Sequence, residues 1–331
     1  MNKTVKALGV SALLALTLAA TPSYAATTLK LTLQLPLKHH LGQNVINFKN
    51  EVERESGGDL KIELYPSAQL YKDKEVPTAV ASGAIEMGVA SITRFVGSVP
   101  AVDAFYVPFL FDSEDKVRKA TAPGSSIRAL IDPAVEATGA KILWYQAFGG
   151  AILLTKGDKP IVVPADAKGR KIRSFGATIS DTITSVGGAP TIMSGSKQFL
   201  AYQNGTVDAG MTGITAVASR KLYEVMDHMT VTYHADIEFV VVINNDVWNG
   251  LSAKNQAIIS KAGLRVEKEL REAIAQKEAA ARAAVEGKIN IIDLTDAQRD
   301  QWREATKPVV NSYIKRAGDT GKKIVEAAGK L

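Results

Sequence analysis

The 331-residue chain has no cysteine, so disulfide and thiolate chemistry are excluded and stability must come from packed core. Its formal charge of +6 falls to +4 without Lys3 and Lys6. The remaining charge is scattered, with no basic run and no aromatic-basic stripe, which excludes a nucleic-acid partner and leaves only a mild field suited to anions. Lys3 and Lys6 precede an uncharged, mostly apolar run over 7–20, then Pro22 and the small-x-small site Ser23-Tyr24-Ala25. This is the order of a secretory signal peptide over 1–25, cleaved after Ala25. The run is shorter than the roughly 20 residues that span a bilayer. The mature product is therefore expected in the periplasm, as a monomer.

From residue 26 onward, strand-like runs alternate with helical patterns. The span 29–35 reads as a strand; Val45, Phe48 and Val52 then mark a helical face that Gly57-Gly58 stops. A second strand over 61–65, a short helix with Pro77 near its start, and a third strand over 85–90 complete βαβ order, hence parallel strands with helices on the faces. An apolar knot over 107–111 leads to an acidic helix start at 112–115, and 141–145 and 151–155 are two further strands. The second half repeats the grammar. A short strand runs through Ile172, helices lie near 178–186 and 196–204, and Val207 begins the next strand. A buried strand follows over 238–243. Ser252 caps a long helix reaching about Glu286, Thr295 and Gln298 form a capping box, and a short helix closes the chain from Asp319.

Ser82-Gly83-Ala84-Ile85-Glu86-Met87-Gly88 is echoed by Asn204-Gly205-Thr206-Val207-Asp208-Ala209-Gly210. Any helix-to-strand turn can use glycine at the helix end. With the matching element order around it, the echo favours two α/β lobes of similar build. Ligands of open α/β sheets bind beyond the carboxyl ends of strands. That places 91–94, with Ser91 and Arg94, on one side of a cleft and 211–215, with Thr212, on the other.

Catalytic motifs are missing. His39 and His40 are adjacent, with side chains that diverge, and no G-x-S-x-G, P-loop or G-x-G-x-x-G follows a strand. Gly149-Gly150 and Gly187-Gly188 lack the rest of a phosphate motif. No cofactor or metal is implied, and His39 is left as a ligand-binding candidate. The positive signal is Lys168-Gly169-Arg170-Lys171-Ile172-Arg173. Strand alternation puts Lys171 and Arg173 on one face, and Arg173 at the carboxyl end could hold a carboxylate by two parallel hydrogen bonds. On residue type alone the reading that all four cations are solvated is the favoured one. Trp144, Phe148 and Phe175 could wall an apolar part of a ligand, or could simply be core.

Several ordered segments resemble the extracytoplasmic solute receptors of TRAP transporters, the DctP-like family. Tyr65-Pro66-Ser67-Ala68-Gln69-Leu70 is similar to "yP.sQLg", Gly83-Ala84-Ile85-Glu86-Met87 to "GaiDm", and Val107-Pro108-Phe109-Leu110-Phe111 to "lPFLF". The stretch 164–173 is similar to "p.DlkGkKiR", 202–208 to "LqqGtvDG", and Leu222-Tyr223-Glu224-Val225 to "kfyEV". The resemblance implies a two-lobed periplasmic-binding-protein-like α/β fold with crossing strands and a long lobe-spanning helix. Lobe I would take 26–149 plus about 239–280, and lobe II 150–238 plus about 281–331. It also implies a carboxylate clamp on Arg173, a small organic anion as ligand, small and large membrane subunits as partners, and no enzymatic turnover. A secreted enzyme on the same fold and a sensor-coupled receptor are the alternatives. The sequence departs from the pattern in three places. Ala147-Phe148-Gly149-Gly150 lacks the arginine of "GFR", Lys197 occupies the glutamate position of "sEvy", and 208–213 lacks the Asn-Pro of "DGqenp". Lys197 and Arg94 either replace the lost positive charge or are solvated.

Overall fold

The computed structural model describes residues 26–331, so the expected signal peptide over 1–25 lies outside the described residues. The chain begins with β1 (Thr27–Thr32), α1 (His40–Ser56), β2 (Leu60–Tyr65), α2 (Val76–Ala81) and β3 (Met87–Ser91). Two 3-10 segments, Ile92–Phe95 and Pro100–Tyr106, lead to α3 (Glu114–Thr121), α4 (Arg128–Glu136) and the 16-residue β4 (Ala140–Thr155). Next come β5 (Lys171–Ser174), α5 (Ala177–Ser185), β6 (Ala189–Ile192), α6 (Gln198–Gln203), β7 (Ala209–Gly213), α7 (Ile214–Ser219) and β8 (His228–Val231). The chain ends with β9 (Asp236–Asn244), α8 (Asn245–Gly250), α9 (Ala253–Val285), β10 (Asn290–Asp293), α10 (Asp296–Thr306) and α11 (Pro308–Ala328).

The strands run in the order β2-β1-β3-β9-β4-β7-β5-β6; off this path β8 pairs with β4, and β10 with β8. The order is nearly palindromic. In one wing β1 lies parallel between β2 and β3; in the other β5 lies parallel between β6 and β7. The crossing strands β9 and β4 pair antiparallel with β3, with β7 and with each other. The sequence echo marks this symmetry. Gly83 and Gly205 both adopt positive φ, 74° and 65°, at the ends of α2 and α6. After each, the next residue donates back five positions, Ala84 to Ala79 and Thr206 to Ala201, before the chain enters β3 or β7.

Alternation is nearly lost in the central strands because both faces are covered. From Ile237 to Asn244 every residue of β9 is buried, as expected of a strand sandwiched between layers. The two strands expected over 141–145 and 151–155 are one strand, because Gly149 and Gly150 carry the backbone through a crowded bend. A bulge falls between Ala147 and Gly149, where φ is +110°. A Cβ at Gly149 would stand 2.5 Å from the Glu278 carboxylate, and one at Gly150 2.3 Å from the Tyr233 ring.

Helix α9 has 33 residues and is therefore about 50 Å long. Ser252 caps it through the Asn255 N–H, and it packs on α1 of one wing and α7 of the other. The final helix starts at Pro308, earlier than the tail expected from Asp319, and is kinked at Gly318. It packs on both the Pro100–Tyr106 segment and α5. No described helix is long and apolar enough to cross a membrane.

Candidate functional site

Side-chain alternation makes the two faces of β4 and β9 different. Phe148, Ile237 and Phe239 point to one face, Ala147, Gly149 and Asp236 to the other, and a cavity lies on each. The first cavity is closed over by both wings. Gln34, Asp73, Ser91 and Arg94 come from the β1–β3 wing, and Arg173, Phe175, Gly195, Gln198, Thr212 and Arg220 from the β5–β7 wing. Ser91, Arg173 and Thr212 sit at or near the carboxyl ends of β3, β5 and β7, the end at which open α/β sheets present ligands.

Arg173 is 3% exposed. Its Nη1 donates to the Met211 carbonyl at 2.6 Å and its Nη2 to the Met193 carbonyl at 3.0 Å, while its buried Nε has no partner. The guanidinium lies 4.9 Å from the centre of the Phe175 ring, a cation–π contact. Among the described residues no carboxylate hydrogen-bonds it. Burial pulls its pKa down to about 9; the nearby Tyr202 opposes this shift, and Arg94 and Arg220 add repulsion. Arg220 is pulled down to about 10, again chiefly by burial, and its Nη2 is buried without a partner. Arg94 is paired: its Nε donates to Asp73 Oδ2 at 2.7 Å, with both side chains buried. Three guanidiniums thus face one carboxylate, an excess of positive charge inside a low-dielectric wall.

The wings touch around this cavity. Arg94 reaches toward the Met193 carbonyl that Arg173 also uses, and the Ser196 N–H donates to Gln34 Oε1 at 3.2 Å. Asp103 accepts the Thr178 N–H at 2.9 Å in the first turn of α5 and also bonds Thr93. The cavity volume is about 20 Å³, room for about one water molecule. A larger guest requires the wings to part or the arginines to swing from their carbonyl partners.

Of the residues expected at the site, Arg173, Arg94, Thr212, Phe175, Phe148 and Ser91 line this cavity. Three do not, and their placement corrects the sequence reading. Trp144 is fully buried in the core, with Nε1 donating to Asn44 Oδ1 at 2.9 Å and its ring against Phe48. Lys197 is exposed at the end of a 3-10 turn, facing away because the next residue, Gln198, takes the inward position. His39 lies behind Phe148, with ring centres 5.3 Å apart. Its Nδ1 accepts the Leu41 N–H, so the proton sits on Nε2, which donates to Thr215 Oγ1 at 3.2 Å. Burial first, then His40, holds its pKa well below the usual value, so the ring is neutral and acts as a cap for α1 and a prop for Phe148.

Sequence reading missed Arg220, Asp73, Gln34 and Gln198. The missing positive charge was sought at Lys197 and Arg94; Arg94 lines the cavity, Lys197 does not, and Arg220, directly after the short apolar helix α7, brings a further guanidinium. Arg220 is followed directly by Lys221, so nothing in the sequence singled it out.

The second cavity, about 470 Å³, lies across the strand pair and is lined by Asp112, Glu114, Asp236, Arg271 and Glu278 among apolar groups. Here the buried arginine has a carboxylate partner. Arg271 Nη1 and Nη2 donate to Glu238 Oε1 and Oε2 at 2.6 and 2.8 Å.

The family described as bacterial extracellular solute-binding protein, family 7 (DctP), matches residues 33–316. The C4-dicarboxylate-binding periplasmic protein DctP of Rhodobacter capsulatus is 28% identical over 298 residues, covering 87% of this chain and 86% of the relative. A TRAP periplasmic solute-binding protein from Shewanella oneidensis, solved with bound succinate, superposes with a TM-score of 0.85 at 24% identity, covering 92% of this chain and 98% of its own. A Bordetella pertussis extracytoplasmic solute receptor binding pyroglutamic acid gives 0.86 at 21% identity, covering 92% and 100%.

Proposed function

Because the chain belongs to bacterial extracellular solute-binding family 7 and has the two-lobed fold of TRAP solute receptors, we propose that it is the periplasmic receptor of a TRAP-type transporter. It captures a small organic acid anion between its lobes and delivers it to the small and large membrane subunits. The observation that carries this reading is Arg173. A guanidinium buried to 97% with no carboxylate partner is costly, and a ligand carboxylate accepting from it would relieve that cost. Similarity supports the ligand class, since the relatives are described as binding a C4-dicarboxylate, succinate and pyroglutamic acid.

The action is capture without turnover. The acid binds in the open form, where Arg173 exchanges carbonyl partners for the ligand. Closure then brings up Arg94 and the β1–β3 wing and excludes water. Ligand stabilises the closed form only through contacts made with both wings, which differ between the two states. Residues 26–149 with about 239–280, and 150–238 with about 281–331, would move as the two bodies, with β4 and β9 as the hinge.

Isothermal calorimetry of the secreted chain against succinate, malate, lactate, pyroglutamate and galacturonate tests the reading. At least one acid should bind, and Arg173→Met should weaken it at least about 100-fold, since a buried charge-assisted pair is removed. Undiminished binding by that variant overturns the site, and chemical change of the bound acid recovered after denaturation overturns capture without turnover.

A further inference from the structure

The cationic cavity also contains acceptors that the protein leaves without donors. Asp73 is 1% exposed; its Oδ2 is held by Arg94, and its Oδ1 is sealed from solvent with no partner. Gln198, also 1% exposed, has an equally unpartnered Oε1. Both residues line the same cavity as the unpartnered donors Arg173 Nε and Arg220 Nη2. A buried polar atom without a partner costs free energy, and four such atoms around one small space specify the hydrogen bonds of its guest.

A carboxylate satisfies the two guanidinium donors. It cannot satisfy Asp73, because an ionised carboxylate only accepts, and two carboxylates facing each other repel. We propose that the captured acid carries a hydroxyl or N–H donor beside its carboxylate, and that Asp73 reads that donor. This inference rests on the capture reading above and narrows its ligand class. The Arg94 contact fixes the Asp73 carboxylate through one oxygen, which leaves the other as a positioned acceptor. Gln198 Oε1 offers a second acceptor on the opposite wing, so the guest's donor helps tie the wings together. An unsubstituted acid would leave both oxygens unpaired, and a site built to pair a donor rejects analogues that lack it.

The test is calorimetry on matched pairs: malate against succinate, lactate against propionate, and pyroglutamate against cyclopentanecarboxylate. The donor-bearing member of at least one pair should bind about tenfold or more tightly. Asp73→Asn keeps an oxygen for Arg94 but turns an N–H toward the cavity, and should bring that ratio close to one. The comparison within pairs uses the unaltered protein, so it stands even if the variant folds poorly; Gln198→Met then serves as the second probe and should also shrink the ratio. Equal affinities within every pair, or a ratio unmoved by both variants, overturn the role of Asp73 while capture stands. Failure of the unaltered protein to bind any of the six acids or galacturonate overturns both.

Discussion

The two faces of the β4/β9 pair treat a buried arginine in opposite ways. On one face Arg271 meets Glu238 through two parallel hydrogen bonds, and although burial opposes its charge, the carboxylate lifts its pKa above the ordinary value. On the other, Arg173 meets only main-chain carbonyls, and burial lowers its pKa. Both cations are enclosed, so burial alone does not separate a structural arginine from one awaiting a guest. The difference lies in the partner. A matched pair belongs to the scaffold, and an unmatched cation between two wings is stored attraction for an anion.

The comparison can be broken by removing each cation in turn. Arg271→Met leaves the fully buried Glu238 carboxylate unpaired and should cost about 3–5 kcal/mol in urea or thermal unfolding. A cost below about 1 kcal/mol would show that this pair is not part of the scaffold. The acidic face sharpens the contrast through pH. Burial lifts Glu278 to about 7 even though it accepts the Gly150 N–H. Its folded pKa lies above its unfolded one, so its contribution to stability is complete below about 4.5 and is lost as pH rises through about 7. Glu278→Gln should therefore be the more stable protein at pH 8, by about 1–3 kcal/mol, with the advantage gone at pH 4; denaturant titrations at both values check the sign. Arg173→Met, by contrast, removes an unmatched charge and should change stability by about 1 kcal/mol or less in the same assay, although it should weaken ligand binding by about 100-fold or more. The smallest effect belongs to Lys197→Ala. That side chain is exposed, so stability should shift by no more than about 0.5 kcal/mol and calorimetric affinity should be unchanged.

Much of the architecture was readable along the chain because it is local. Gly57, Gly83, Gly205, Ser252 and the Thr295–Gln298 box each end or start a helix where backbone geometry demands it. The elements that sequence reading missed, α4, β6, α7, β8, α8 and β10, are short, and several gain their state from neighbours: β6 is largely exposed and is a strand because β5 pairs with it. The same division holds in the site. Arg173 was legible from a strand end within a recurring motif, and the aromatic candidates were not separable, since Phe148 and Trp144 lie four residues apart on one strand and only their packing sends one to the cavity and the other to the core.

Residue order alone pointed to the two βαβ-type halves and to the arginine at position 173, because periodicity, capping and strand alternation act over a few residues at a time. Tertiary structure decided that two strand candidates fuse across Gly149-Gly150, that Arg220 and not Lys197 supplies the extra charge, and that Arg94 is tied to Asp73 with one oxygen to spare. Those outcomes depend on which groups meet after the wings come together, and electrostatic partnership across 21 residues (Asp73 to Arg94) or 47 (Arg173 to Arg220) leaves no periodic trace in the chain.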